Sequence, residues 1–255
     1  MTGAGPAGGV GGGFRLDGRT TLVTGAGKGL GRACALALAA AGAHVIAVAR
    51  TGADLTTLAA EAAGSVEVWT ADATEPAFLA RVEALPRLDV LVNNVGANKP
   101  EPFTAVTVET LDRLLSLNVR AAFLVAQAAV RAMLRAGSGG SVIHMTSQMG
   151  HVGSPNRTVY CMTKHALEGL SKAMAVELAP QGVRVNCVAP TFIETPMTAP
   201  MLADPQFRRF VLDRIPLGRT GSAEEVAAAV VFLASPASSL ITGTSLLVDG
   251  GWTAQ

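Results

Sequence analysis

Aromatic residues are scarce in this 255-residue chain, 4% in all, and tyrosine occurs once, at Tyr160. A core must then be assembled from Ala, Val, Leu and Ile. Charge is also sparse, at 15%, and balances to a formal +1. Such a balance offers no electrostatic footprint to nucleic acid or an anionic membrane, and neither partner is expected. The three cysteines, Cys34, Cys161 and Cys187, are odd in number and scattered. They argue against a disulfide frame and for reduced thiols in a cytoplasmic protein. No cluster of His, Cys, Asp and Glu has metal-ligand spacing, so no metal is expected. The longest low-charge run, Ala33–Ala49, is broken by Gly42 and His44. It falls short of the ~20 strongly apolar residues of a membrane span. No basic region followed by an apolar stretch opens the chain, so no secretory signal is expected.

Apolar residues are plentiful, at 49%, and a domain near this length buries roughly three quarters of its unfolded surface. Residues 1–13 hold seven glycines and predict a disordered tail, leaving 14–255 as one domain. Strands are predicted at Thr20–Thr24, His44–Ala49, Val66–Thr70, Leu88–Asn93, Ser141–Thr146, Val183–Val188 and Ser245–Val248. Helices are predicted at Leu30–Ala41, Ala53–Ala62, Pro76–Ala84, Val108–Arg135, Thr158–Ala179 and Ser222–Ala234. Alternating βα units with near-continuous Val/Ile/Leu strands imply a doubly wound α/β domain. Its seven-stranded sheet is mainly parallel and has helices on both faces. Such sheets bind ligands beyond the carboxyl ends of their strands.

Two constellations fall at strand ends. Thr24-Gly25-Ala26-Gly27-Lys28-Gly29-Leu30-Gly31 joins the first strand to the first helix. Its glycines permit a tight turn and close approach to a pyrophosphate, which the helix N–H groups would face. The spacing is G-x-x-x-G-x-G, because Leu30 replaces the last glycine of G-x-G-x-x-G. It is not a Walker A loop either, since Gly29 follows Lys28. In the second constellation, Lys164 follows Tyr160 by four on one helix face. An ammonium beside a phenol lowers its pKa toward a general acid/base range. Ser147 ends the fifth strand, where a ligand-facing hydroxyl belongs.

Over residues 16–252 the chain resembles the short-chain dehydrogenase/reductases. The matching pieces are Thr24–Gly31, Asp72, Asn93-Asn94-Val95-Gly96, Asn118, Ser147, Tyr160 with Lys164, Pro190, Ile193-Glu194-Thr195 and Val248–Gly251. The resemblance implies a Rossmann-type fold, a homotetramer packed through the helices Val108–Arg135 and Thr158–Ala179, and hydride transfer between a carbonyl or secondary alcohol and a nicotinamide cofactor. Tyr160 would exchange the proton, Ser147 would bind the substrate oxygen, and Lys164 would hold the nicotinamide ribose. Asn118 would hold a relay water. The cofactor groove would comprise Gly25, Lys28, Gly29, Leu30, Gly31, Arg50, Asp72, Ala73, Asn94, Gly96, Pro190, Ile193 and Thr195, together with Tyr160 and Lys164. Val95 stands where the family often has Ala, and Thr191 where it often has Gly. Substrate would meet Ser147, Met149, His151, Asn156, Thr191 and Phe192.

NADP(H) is expected over NAD(H). Ala49 occupies the position where NAD-preferring members carry an acid, and Arg50 and Lys28 could engage a 2′-phosphate. The opposing reading lets Asp54 meet the ribose. Thr191–Ile215, with Met197 and Met201, reads either as a mobile lid or as buried packing. His44, His144 and His165 read as structural. Arg131 and Arg135, four apart, form a solvated face or a contact for an acidic carrier protein. The substrate is left open between a 3-oxoacyl thioester and a sugar, polyol or small ketone. A non-catalytic, dinucleotide-responsive regulator of the same fold is the alternative.

Overall fold

The strands are β1 (Thr20–Thr24), β2 (His44–Ala49), β3 (Val66–Thr70), β4 (Val90–Asn93), β5 (Gly140–Met145), β6 (Val183–Pro190) and β7 (Ser245–Val248). They pair in the order β3-β2-β1-β4-β5-β6-β7, and every pairing is parallel. The helices are α1 (Gly29–Ala40), α2 (Gly52–Glu61), α3 (Pro76–Glu83), α4 (Val108–Leu115), α5 (Ala121–Ala136), α6 (Thr158–Leu178), α7 (Ala199–Leu202), α8 (Pro205–Leu212) and α9 (Ala223–Ala234). This computed structural model describes residues 13–255. Apart from Gly13, the glycine-rich tail expected over 1–13 lies outside the described residues.

Side chains alternate across the sheet, as the strand period of two requires. Leu22, Ile46, Leu91 and Val142 are neighbours in register and point to one face. There they pack with Phe78, Val125, Met133 and Leu178 from α3, α5 and α6. Val23, Ala47, Val92 and Ile143 point to the other face, beneath Leu38 of α1 and Val230 of α9. The core is aliphatic and Ala-rich, as the composition demanded.

Local departures from the expected elements have local causes. The long helix over 108–136 is present, but Ser116–Arg120 form a π turn in its middle. Wide turns of this kind recur at functional sites, and this one carries Asn118. The helix as a whole is long and apolar enough to cross a membrane, yet more than half of its most apolar stretch is buried. It packs on α3, β4 and β5. The fourth strand starts at Val90 rather than Leu88. Just before it, the Asp89 carboxylate is held by Arg19, Arg87 and the Thr20 N–H. In the segment expected as a lid, α7 and α8 bury Phe192, Leu202, Val211 and Ile215 around Met149. Packing, the second reading of that segment, describes these four side chains, while Met197 is exposed and lines the cleft described below.

Candidate active site

The order reverses between β1 and β4, and a cleft of about 480 Å³ opens beyond the carboxyl ends of these strands. The glycine loop forms one wall. Gly25 and Gly29 adopt φ +68° and +55°, conformations that suit glycine. A Cβ on Gly31 would stand 2.2 Å from the Gly25 carbonyl oxygen and 2.5 Å from Asn94 Nδ2, so α1 can approach the loop only with glycine there. Asn94 clamps the turn, donating from Nδ2 to the Thr24 and Gly25 carbonyls. The N-cap of α1, Lys28, makes no side-chain cap, and no acid sits in the first turn. The first N–H groups of α1 therefore face the cleft uncapped, an arrangement that favours an anion.

Most of the expected groove comes together here. Gly25, Lys28, Gly29, Leu30, Arg50, Asp72, Ala73, Asn94, Gly96, Pro190, Thr191, Ile193 and Thr195 line the cleft with Ser147, Tyr160 and Lys164. Gly31 lies buried beneath the loop. Asp72 accepts from the Thr74 N–H and hydroxyl, which hold its carboxyl below the usual range. Lys28 Nζ sits 3.4 Å from Asp54, itself a wall residue. Thr51, Ala71, Ala97, Leu117, Met197 and Thr198 also line the cleft. Met197 and Thr198 belong to the segment read as a lid, and Leu117 to the π turn, while Thr51 and Ala71 follow the ends of β2 and β3, the signal that could have found them.

The reacting end is built by β5, α6 and the π turn. Ser147 Oγ accepts from the Met149 N–H at 3.2 Å and donates to Gln148 Oε1 at 2.7 Å. Lys164 Nζ donates to the Met145 carbonyl at 2.8 Å and lies 5.5 Å from the Tyr160 ring centroid. Burial brings the Lys164 pKa down to about 8, against the opposing pull of Cys187 and Glu168. Burial pushes the Tyr160 phenol up to about 12, while Ser147 and Arg157 act the other way. The phenol is thus not lowered by its neighbour as expected. Desolvation dominates, and the ammonium's hydrogen bond goes to a backbone carbonyl.

Asn118 is buried within the π turn. Both of its amide hydrogens are committed, to the Ala97 carbonyl and the Thr163 hydroxyl, and its Oδ1 accepts from the Ala97 N–H. Its side chain braces the cleft wall at Ala97. Met149 and Phe192 pack into the cluster under α7 and α8. His151 is not among the residues lining the cleft and is bonded to Ser245 at 2.9 Å, beside Glu168 at 3.3 Å. Asn156 is exposed, with φ 57°, and its carbonyl accepts from the Glu101 N–H. Of the expected substrate contacts, Ser147 and Thr191 line the cleft. Thr191 Oγ1 is buried and has no hydrogen-bond partner among the described residues. Arg131 bonds to Glu83, and Arg135 to the carbonyls of Glu83 and Leu85. That pair lies on an exposed face, the first of the two readings, and fastens α5 to the end of α3.

A parallel doubly wound sheet, a glycine loop feeding an uncapped helix, and a Ser–Tyr–Lys set at the switch point define a nicotinamide-dinucleotide oxidoreductase. A family model described as enoyl-(acyl carrier protein) reductase matches residues 25–253. L-xylulose reductase of Bos taurus is 45% identical over 245 residues, covering 94% of this chain and 99% of that protein. D-erythrulose reductase of Gallus gallus is 42% identical, covering 92% and 96%. A crystal structure of a gluconate 5-dehydrogenase from Burkholderia cenocepacia, in complex with NADP and tartrate, superposes with TM-score 0.88 at 34% identity. That match covers 95% of this chain and 98% of the other. The chain belongs to the short-chain dehydrogenase/reductase family. It is an NAD(P)-dependent oxidoreductase acting on CH–OH and carbonyl groups, and the non-catalytic alternative is set aside.

Proposed function

We propose that this protein, through one catalytic domain spanning residues 14–255, reduces a small polyhydroxylated ketone with NADPH. The carrying observation is the fate of the apolar side chains near Ser147. Met149, Phe192 and Leu202 are 4%, 7% and 6% exposed and pack on one another. Among the described residues they do not line the cleft, whose polar side chains at the reacting end are Ser147, Tyr160 and Thr191. The ketose reductases among the relatives point the same way.

The residues present fit a dinucleotide. The uncapped α1 N-terminus and the glycine cradle suit its pyrophosphate, and the unpartnered Thr191 hydroxyl offers a polar contact beside the nicotinamide end. The bound cofactor supplies the hydride. Tyr160 donates the proton to the substrate oxygen, Ser147 hydrogen-bonds that oxygen, and Lys164 leaves Met145 to hold the ribose. Asn118 keeps Ala97 in the cleft wall. The decisive assay follows NADPH oxidation at 340 nm against ketoses, keto-sugar acids, simple ketones and an acetoacetyl thioester. Ketoses are expected to give the highest kcat/KM, and Thr191→Gly to reorder the panel. A thioester preferred over every ketose would overturn this reading.

The expected homotetramer is proposed on the same footing. Phe123 and Leu134 of α5, with Met162 and Val176 of α6, are exposed apolar side chains on the two long helices. Light scattering at micromolar concentration is expected to give four chains, and a monomer would refute the assembly. The thiols of Cys34, Cys161 and Cys187 are free, which supports a reducing, cytoplasmic setting.

A further inference from the structure

One helical turn beyond Lys164, α6 buries a carboxylate that the chemistry above does not use. Glu168 is 6% exposed. Its Oε1 accepts from the Thr146 hydroxyl at 2.6 Å and the Ser245 hydroxyl at 3.0 Å. His151 Nε2 lies 3.3 Å from the same oxygen. The carboxylate thereby ties α6 to β5, to β7 and to the turn that follows Ser147. Burying such a group is costly unless it is hydrogen-bonded or paired.

We propose that Glu168 is a positioning residue for this site. It fixes Thr146, the neighbour of Ser147, and supplies the negative charge that keeps the buried Lys164 an ammonium. The proposal rests on the reading of Lys164 given above. Lys164 is approached by His144 from β5, by Cys187 from β6, and by Tyr160 and Glu168 along α6. Burial and then Lys164 itself bring His144 down to about 4, so it is neutral. Burial pushes the Cys187 thiol up, and it stays protonated. Tyr160, at about 12, is also protonated. Glu168 is the remaining source of negative charge among these neighbours. Glu168 in turn bonds to the Thr146 and Ser245 hydroxyls with His151 beside it, and it stands one turn from Lys164 on α6, the two charges being anchored on the consecutive residues Met145 and Thr146. The His151 side chain is 29% exposed and opens the cluster to solvent.

The test is a lysine Nζ NMR titration of the ligand-free protein, joined to a pH profile of kcat/KM. Glu168→Gln keeps the shape and the acceptor oxygen but removes the charge. The Lys164 pKa and the alkaline limb of the profile are both expected to fall by about one unit, the low end for losing a nearby opposite charge. Glu168→Asp restores most of that shift. His151→Arg, at a partly exposed position, sets a permanent cation on the intact carboxylate and moves both readouts the same way. The proposal is overturned if Lys164 titrates as in wild type in folded Glu168→Gln, or in His151→Arg should Glu168→Gln not fold. A wild-type protein that reduces no carbonyl would refute the functional reading, and the NMR titration would still decide the role of Glu168.

Discussion

Tyr160→Phe is expected to lower turnover by ~10²–10⁴-fold, the usual contribution of a general acid or base. The substitution deletes the hydroxyl and keeps the ring that packs beside Met149 and Phe192. Cofactor affinity and thermal stability are therefore expected to stay near wild type. With the sole tyrosine gone, no second phenol can stand in. The direction of reaction sets the pH dependence. Reduction needs the protonated phenol, which a group held at about 12 retains throughout the neutral range. Oxidation needs the phenolate, so its rate is expected to climb with pH until Lys164, at about 8, loses its charge. Steady-state kinetics in both directions, with cofactor titration by fluorescence, checks this. Turnover within threefold of wild type would remove Tyr160 from the mechanism.

Wild-type protein is expected to favour NADPH over NADH by at least about tenfold in kcat/KM, and Ala49→Asp/Arg50→Ala to reverse that order. A charged hydrogen bond to phosphate contributes roughly 1.5–3 kcal/mol. The lower end applies here, because the Arg50 side chain is 82% exposed and screened by water. That lower end is about tenfold. Arg50 is held only loosely, 4.0 Å from Asp72, and is free to swing onto a 2′-phosphate. Lys28 is the second cation, but its contact with Asp54 at 3.4 Å offsets part of its charge. Asp54 therefore works against the preference and keeps it moderate. In the double variant the new carboxylate accepts from the ribose hydroxyls and repels the phosphate. The ratio of the two kcat/KM values is expected to swing by about a hundredfold. A wild-type preference for NADH, or no swing, would show that these side chains do not read the phosphate.

Much of this architecture is written in local patterns. The runs at Thr20–Thr24, His44–Ala49, Val66–Thr70 and Ser245–Val248 begin and end in the structure where composition placed them. A buried strand must be apolar at nearly every position, and turn residues bound it. The α9 helix shows the same economy. Ser222 and Glu225 form a full capping box, a signature carried by two residues three apart. The glycine loop and the Tyr160–Lys164 pair were readable for a similar reason, since one tight turn or one helix face holds all the parts.

Side chains whose partners lie far along the chain were decided by packing alone. His151 looked free to face substrate, but Ser245, on the last strand, takes its ring. Arg131 and Arg135 do lie on an exposed face, but their bonds to the end of α3 could not be read from their spacing. Met149 and Phe192 looked like a substrate wall, and the folding of α7 and α8 closes them into a core. Even the Tyr160 phenol was misjudged, because counting residues finds the nearby ammonium and not the water that burial removes. Periodicity and turn chemistry act over a few residues, so the chain alone determined the strands, the helices that alternate with them and the two strand-end motifs, but not the short α7 and α8 or the π turn. Which polar groups meet at the site, and what charge each carries there, depends on contacts such as Glu168 with Ser245 and on desolvation, and these exist only once β5, β6, β7 and α6 have packed together.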